Sequence, residues 1–192
     1  MVEIAKKQII TIAGRPGSGK STTSRAVATM LGYEHFSSGD LFRAIARERG
    51  LELYELNRLA EEEKSLDYLV DEKLKKIGET QDEVAIDSRL AWHWIPQSFK
   101  VFLDLDLDIA AQRIISNLDP ERLENEHIPN DPKEYAEMLK KRLESESKRY
   151  MDLYQADPYN LSNYNLVINT ANSNPDQVVD KLIGAYKSWL AS

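Results

Sequence analysis

The chain has 192 residues, 42% hydrophobic and 30% charged, with a net charge of −7 and no cysteine. This size suits one domain with a core, while the missing cysteines exclude disulfides, thiolate catalysis and cysteine-based zinc sites. The acidic balance disfavours nucleic-acid binding, which needs a basic surface. Because no apolar run approaches the roughly 18 residues of a membrane helix and no signal core opens the chain, we expect a cytoplasmic protein that binds no membrane.

Strands and helices alternate from the N-terminus onward. A β-branched run at residues 8–13 predicts a strand buried on both faces. Residues 21–31 then predict a helix that ends before Gly32. A short strand is expected at residues 34–36. Asp40 is expected to be the N-cap of the next helix, which runs to about residue 49 and closes at Gly50.

The second half continues the alternation. Residues 52–81 are predicted to be helical and share one apolar stripe. The stripe consists of Leu66, Leu69, Val70, Leu74 and Ile77. Strands are predicted at residues 84–86, 100–105 and 165–168, and a last helix at residues 175–189. Residues 116–133 carry repeated Asn and Pro and are predicted to be polar and mobile. This order predicts a three-layer α/β fold, a five-stranded parallel sheet with helices on both faces.

Residues 14–21 match the P-loop pattern G-x-x-x-x-G-K-[ST] at every fixed position. Glycines let consecutive backbone N–H groups form an anion-binding nest, and the following helix adds its positive end. Lys20 can reach the β- and γ-phosphates of ATP, and the Ser21 hydroxyl can bind Mg²⁺. The predicted ATP-binding residues are Gly14, Arg15, Pro16, Gly17, Ser18, Gly19, Lys20, Ser21 and Thr22. Thr22 lies at the edge of this set, and a purely helical role is favoured for it.

The next segment separates the classes of P-loop protein. Residues 37–43 read Ser-Ser-Gly-Asp-Leu-Phe-Arg and resemble the S-[ST]-G-D-L-x-R stretch of nucleoside monophosphate kinases. This resemblance implies that Ser38, Gly39, Asp40 and Arg43 hold the acceptor nucleotide. The planar Arg43 guanidinium can grip a monophosphate with two hydrogen bonds. Taken alone, the segment also fits an exposed arginine beside an ordinary helix cap.

Two further segments resemble the same enzymes. Asp87-Ser88-Arg89 looks like their strand-end carboxylate and arginine, which implies that Asp87 holds Mg²⁺ through water and that Arg89 binds the acceptor phosphate. Residues 142–149 resemble the cytidylate kinase pattern R-x-x-x-[DE]-x-x-R, which places Arg142, Glu146 and Arg149 on one helix face. A carboxylate there can accept from the cytosine amine, one arginine can donate to the ring carbonyl and the other can reach the phosphate. A solvated face with an Arg142–Glu146 ion pair is the alternative.

Over nearly its full length the chain is similar to archaeal-type cytidylate kinases. Further matches lie at residues 60–63, 89–91, 102–104, 113–114 and 166–170. The resemblance implies one domain: a core of residues 1–40, 83–113 and 143–192, a helical acceptor-binding insertion at about 41–82, and a mobile lid at about 114–142. It also implies that Asn169 and Thr170 lie near the donor base. We expect Lys20, Arg89, Arg113 and Arg149 to form the catalytic charge clamp.

The chain also departs from that family. Ser88 stands where a glycine is usual, and Ala110 and Asn117 stand near positions where the family's lid carries arginines. Arg113 and Arg122 remain as candidates to stabilise charge.

Three smaller features have two interpretations each. Asp67 and Asp71 lie one turn apart and either line the acceptor site or form a solvated face, which is favoured. Residues 92–94 (Trp-His-Trp) either stack on a base or pack. Asp104, Asp106 and Asp108 fit a strand end and helix cap, because isoleucines occupy the positions where a calcium loop needs Gly and Glu.

The sequence therefore predicts a monomeric nucleoside monophosphate kinase that uses ATP with Mg²⁺ and accepts CMP or dCMP. Three alternatives stay open. The acceptor can instead be AMP, UMP or a small non-nucleotide molecule. The protein can be a nucleotide-binding regulator with impaired lid chemistry, or a P-loop enzyme that acts on nucleic acid, which the acidic charge disfavours.

Overall fold

A computed structural model of the chain describes residues 6–51, 55–56, 59, 64–117 and 128–192. Strands and helices alternate through these residues as predicted. In chain order the elements are β1 (Ile9–Gly14), α1 (Lys20–Leu31), β2 (Glu34–Ser37), α2 (Ser38–Arg49), α3 (Lys64–Thr80), β3 (Val84–Asp87), α4 (Ala91–Trp94), β4 (Phe99–Asp104), α5 (Leu107–Asn117), α6 (Pro132–Tyr154), a 3₁₀ turn (Leu161–Asn163), β5 (Leu166–Asn169) and α7 (Pro175–Ala191).

The five strands form one sheet in the order β2-β3-β1-β4-β5. All four neighbouring pairs run parallel, which confirms the predicted five-stranded parallel sheet. β1 lies in the middle, with β3 on one side and β4 on the other. Parallel sheets of this kind bind ligands beyond the carboxyl ends of their strands, where the connections diverge. Gly14, Asp87 and Asp104 end the three central strands at that edge.

Helices cover both faces of the sheet, and the alternation of side chains along β1 explains why. Ile10 and Ile12 point to one face, where they pack with buried residues of α1 and α7 such as Val27 and Leu182. Ile9 points to the other face, where it packs with residues of α3 such as Leu74. Since a strand buried on both faces needs apolar side chains in both directions, the continuous apolar run of β1 is accounted for. The predicted three layers are confirmed.

Several element boundaries differ from the prediction. Ser37, rather than Asp40, is the N-cap of α2: its hydroxyl accepts from the Asp40 N–H, and Asp40 lies in the first turn. The predicted end at Gly50 is confirmed. β3 extends to Asp87, which brings the first residue of the expected turn into the strand. β4 and β5 are each shifted by one residue from the prediction.

The apolar stripe of α3 is narrower than predicted. Leu66, Val70, Leu74 and Ile77 are buried, but Leu69 is 53% exposed. Of the predicted helical stretch 52–81, residues 64–80 form α3, and residues 52–54, 57–58 and 60–63 lie outside the described part of the chain. Residues 118–127 of the predicted lid, including Arg122, lie outside it as well, whereas residues 114–117 belong to α5 and residues 132–142 to α6. Among the described residues, no helix combines the length and apolar character needed to cross a membrane.

Candidate active site

The P-loop connects β1 to α1 and approaches two backbones closely. Gly14 has φ 152°, and a Cβ there would lie 2.3 Å from the Leu103 carbonyl oxygen of β4. Gly17 has φ 68°, and its Cβ would lie 3.1–3.3 Å from three atoms of Ala110 on α5. Only glycine fits this combination of positive φ and close contact. Gly14 and Gly17 are therefore required because the loop packs closely against both β4 and α5.

Lys20 and Ser21 begin α1 directly beyond the loop. The Lys20 ammonium donates to the Arg15 carbonyl at 2.8 Å. Burial and the nearby Arg89 guanidinium lower the pKa of Lys20 to about 8, although Asp87 and Glu146 act in the opposite direction. A bound phosphate would stabilise the charged form of Lys20, because it places negative charge beside the buried ammonium.

The Ser21 hydroxyl donates to Asp87 Oδ2 at 2.5 Å. Asp87 is the last residue of β3, and β3 pairs with β1 in register, which brings Asp87 beside Ile12 and hence beside the P-loop. The structure therefore places together the two side chains that the sequence predicted as Mg²⁺ ligands. Hydroxyl and carboxylate oxygens are the hard donors that Mg²⁺ prefers, so this pair fits the predicted ion.

A cavity of about 230 Å³ opens beside Lys20 and Ser21. Its walls come from the start of α1, the turn into α2, the buried side of α3, the turn after β3 and the middle of α6. Seven of the eight acceptor-binding residues predicted from the sequence line it: Ser38, Gly39, Arg43, Arg89, Arg142, Glu146 and Arg149. The eighth, Asp40, accepts from Arg43 at 2.5 Å and from Arg25 at 2.8 Å.

Glu146 connects the arginines of this cavity. Its Oε2 lies 2.6 Å from Arg89 Nε and accepts from the Tyr159 hydroxyl at 2.6 Å, while its Oε1 accepts from Arg142 Nε at 3.0 Å. Burial alone would raise the pKa of Glu146, but Arg89, Arg142 and the hydrogen bonds lower it to about 2. Both carboxylate oxygens are thus engaged inside the protein. These contacts favour a role in holding Arg89 and Arg142 over the predicted role in reading a base.

The favoured interpretation of Asp67 and Asp71 as a solvated helix face is wrong. Each is 4% exposed, and both line the cavity. Asp71 accepts from Trp94 Nε1 at 2.8 Å and also from the Tyr154 hydroxyl. Burial raises the pKa of Asp71, and it raises the pKa of Asp67 to about 6, against the opposing effect of Arg149.

A second set of predicted residues lies at the other side of the P-loop. Arg15 Nε pairs with Asp104 Oδ1 at 2.7 Å, and Arg15, Asp104 and Asn169 help to line a second opening of about 470 Å³. Arg113 donates to the Thr170 and Ala171 carbonyls at 2.8 and 2.7 Å. Arg113 therefore contacts the loop after β5, which the sequence predicted to lie near the donor base.

Comparison with known proteins decides the family. Residues 9–172 match the cytidylate kinase-like family. The chain belongs to this family. A cytidylate kinase of Natronomonas pharaonis is 40% identical over 184 residues, which cover 93% of this chain and 90% of that protein. A cytidylate kinase of Sulfurisphaera tokodaii is 34% identical over 185 residues, 95% of this chain and 96% of that protein.

Solved structures give the same fold. A shikimate kinase from Bacteroides thetaiotaomicron aligns with a TM-score of 0.62 at 16% identity, over 96% of this chain and 98% of its own. A gluconokinase from Sinorhizobium meliloti aligns with a TM-score of 0.59 at 14% identity, over 98% and 96% of the two chains. At these identities the likeness concerns the fold, a three-layer P-loop kinase fold.

The structure accounts for Ser88 and Ala110, the residues at two positions where the sequence was expected to depart from the family pattern. Positive φ at non-glycine residues occurs, in the described ranges, at Glu83 and Gln155, so the turn at Ser88 is one that does not require glycine. The Ser88 hydroxyl accepts from the Leu90 N–H within that turn. Ala110 is fully buried and contacts Gly17 of the P-loop, which leaves no room for the long side chain expected from the family.

Several residues that line the cavity or contact its lining were not predicted from the sequence. Tyr159 lies in the loop after α6. Its hydroxyl donates to Glu146, 13 residues earlier, because the chain turns back towards the helix. Phe42 and Leu90 line the cavity but look like ordinary core residues in the sequence. Trp92 is buried among apolar residues and Trp94 donates to Asp71, which confirms the packing interpretation of this segment over base stacking.

Proposed function

We propose that the protein transfers the γ-phosphate of ATP to CMP or dCMP, giving ADP and CDP or dCDP. The observation that carries this proposal is the shared cavity in which Lys20 and Ser21 of the P-loop face a cluster of arginines on α2, α6 and the turn after β3. A donor phosphate chain on the P-loop and an acceptor monophosphate on the arginines would meet there. The relatives named cytidylate kinase support CMP as the acceptor.

The P-loop binds the donor in this proposal. Backbone N–H groups of residues 14–19, except Pro16, which has none, and the start of α1 surround the phosphates, and Lys20 exchanges its hydrogen bond to the Arg15 carbonyl for phosphate oxygens. Asn169 and Thr170 flank the donor base at the end of β5, with Thr22 at the edge of the phosphate site. Arg113 anchors the Thr170 carbonyl. From that position we propose that it holds the donor-side loop and stabilises charge on the phosphates during transfer.

Ser21, and Asp87 through water, are the residues that would hold Mg²⁺. When bound, the ion neutralises negative charge on the β- and γ-phosphates. The chain's own contribution is to keep one hydroxyl and one carboxylate together at the ends of two paired strands.

The acceptor phosphate lies among Arg43, Arg89, Arg142 and Arg149 in this proposal. Phosphoryl transfer passes through a loose transition state with charge on the transferred oxygens, so catalysis depends on positioning and charge stabilisation. Glu146 fixes Arg89 and Arg142 in advance. The arginines therefore need not lose rotamer freedom when the substrate binds, which lowers the cost of reaching the transition state.

The test is a steady-state assay of ADP formation with ATP and Mg²⁺ against CMP, dCMP, UMP, AMP and GMP, with a control lacking acceptor. We expect the highest kcat/KM for CMP or dCMP. Turnover with AMP or UMP alone would show that this nucleotide, and not CMP or dCMP, is the acceptor. Nucleotide binding without any turnover would favour a regulatory protein. The expected monomeric state and cytoplasmic location remain predictions, which gel filtration and cell fractionation test.

A further inference from the structure

One carboxylate in the cavity is left with an open hydrogen-bonding position. Asp67 is 4% exposed, yet its Oδ2 has no hydrogen-bond donor within the ranges that the structure describes. Arg149 Nε lies 3.4 Å away as an ion-pair partner, but it too lacks a hydrogen-bond partner among the described residues. A buried acceptor without a donor costs stability, which indicates that a ligand completes the site.

The neighbouring Asp71 shows what a purely structural carboxylate looks like here. It lies one turn further along α3 and is equally buried, and its two oxygens accept from Trp94 and Tyr154. Glu146 is engaged in the same way by Arg89, Arg142 and Tyr159. Asp67 differs from both because it lines the cavity while one of its buried oxygens accepts no hydrogen bond from the described residues.

Asp67 lies at the part of the cavity suited to a base. The acceptor phosphate must face Lys20 to receive the γ-phosphate. Lys20 begins α1 at the P-loop, whereas Asp67 lies on α3, so the cavity extends from the P-loop to the α3 wall that carries Asp67. Apolar side chains also line this cavity, namely Val70 and Leu74 of α3, Phe42 of α2 and Leu90 after β3. Apolar walls combined with a few placed polar groups bind and orient a planar base.

We propose that Asp67 is the residue that selects the acceptor base, by accepting a hydrogen bond at Oδ2 from the exocyclic amine of cytosine. This inference rests on the proposed function and assigns its base specificity. The amine of cytosine is a donor where uracil carries a carbonyl oxygen. A carboxylate facing that carbonyl would be left unpaired beside another acceptor, so the site rejects uracil.

The test compares Asp67→Asn with Asp71→Asn in the full chain. The amide introduced by Asp67→Asn has almost the same shape as the carboxylate but offers a donor as well as an acceptor, so it can pair with either base. We expect the CMP/UMP ratio of kcat/KM to fall by about tenfold to a hundredfold in Asp67→Asn, in line with the loss of a hydrogen bond to a charged group. Asp71→Asn should keep the ratio within about twofold of the wild type, whatever its kcat.

Two controls separate the possible failures. Melting temperature and the affinity for ATP establish that Asp67→Asn is folded with an intact P-loop. Titration calorimetry with CMP and UMP, without ATP, measures base selection independently of turnover.

An unchanged CMP/UMP ratio in folded Asp67→Asn would overturn the inference while leaving the kinase function in place. A changed CMP/dCMP ratio with an unchanged CMP/UMP ratio would overturn it in favour of a sugar contact. Failure of the wild type to phosphorylate any nucleotide would remove the proposed function. Preferential CMP binding that is lost in Asp67→Asn would in that case still support Asp67 as the base reader.

Discussion

At the scale of single residues, some charged groups of the cavity lower the stability of the folded protein and others raise it. Lys20 is the clearest case of the first kind, since its pKa of about 8 lies below the ordinary 10.5. Folding therefore opposes the charged form, and the cost is present below about pH 8 and disappears as the pH rises towards 10.5. Such costs are typical of binding sites, where a ligand later supplies the missing charge.

Replacing Lys20 should accordingly separate activity from stability. We expect Lys20→Met to lower kcat by at least about a hundredfold, and to raise the melting temperature at pH 7 without nucleotide by a few degrees, about 1 kcal/mol. The Arg15 carbonyl keeps the N–H of Ser18 as a donor, so the lost hydrogen bond offsets little of this gain. Thermal unfolding of both proteins at pH 7 measures the effect. A lower melting temperature for the folded variant would contradict this account of Lys20.

Glu146 behaves in the opposite way. Its pKa of about 2 lies below the ordinary 4.5, so the carboxylate contributes stability that is fully present above about pH 4.5 and is lost as the pH falls towards 2. We expect Glu146→Gln to cost about 2–3 kcal/mol at pH 7, because Arg89 and Arg142 lose their partner. The loss should shrink between pH 4.5 and pH 2. Urea unfolding across this range is the measurement.

Tyr159→Phe is the matched control for that experiment. It removes the hydroxyl that donates to Glu146 but keeps the carboxylate charge, so we expect a cost of about 1 kcal/mol that persists at low pH better than that of Glu146→Gln. Equal losses in the two variants, with equal pH dependence, would show that charge on Glu146 does not hold the arginines.

At the scale of elements, α5 acts as a support for the P-loop. Ala110 contacts Gly17, and the P-loop packs between α5 and β4. We expect Ala110→Arg to cost about 1–3 kcal/mol through overpacking and to weaken ATP binding about tenfold or more, since the loop must shift. Gln112→Arg, on the exposed face of the same helix, adds the same charge and should change neither quantity. Calorimetric titration with ATP tests the pair.

Sequence patterns predicted these elements well where the signal was local. The β-branched run of β1, the glycine after α1 and the P-loop residues each depend on a few neighbouring positions, and all are found where expected. The cap of α2 was misassigned because Ser37 and Asp40 are both good capping residues, and only the backbone decides between them. Leu69 was misplaced because the helical period allows a wider stripe than the sheet beneath α3 covers.

At the scale of the whole molecule, the site depends on strand order, which no local pattern contains. Asp87 meets Ser21 because β3 pairs with β1, and Asp67 reaches the cavity because α3 packs on that same face of the sheet. Burial of Asp67 and Asp71 on a charged helix could not be read from the sequence, since period alone does not reveal what covers each face. The resemblance to cytidylate kinases predicted which arginines bind the acceptor, while the cavity showed that Glu146 pairs with two of them, Arg89 and Arg142.

The central claim is that the P-loop and the arginine cluster form one site for direct phosphate transfer. The most direct measurement follows the label of γ-labelled ATP in the presence of Mg²⁺ and CMP under single-turnover conditions. We predict that the label appears in CDP, with little release of free phosphate, and that Arg89→Met slows this transfer by at least about a hundredfold while ATP still binds. Label released as free phosphate, or retained in ATP while CMP is bound, would contradict the account.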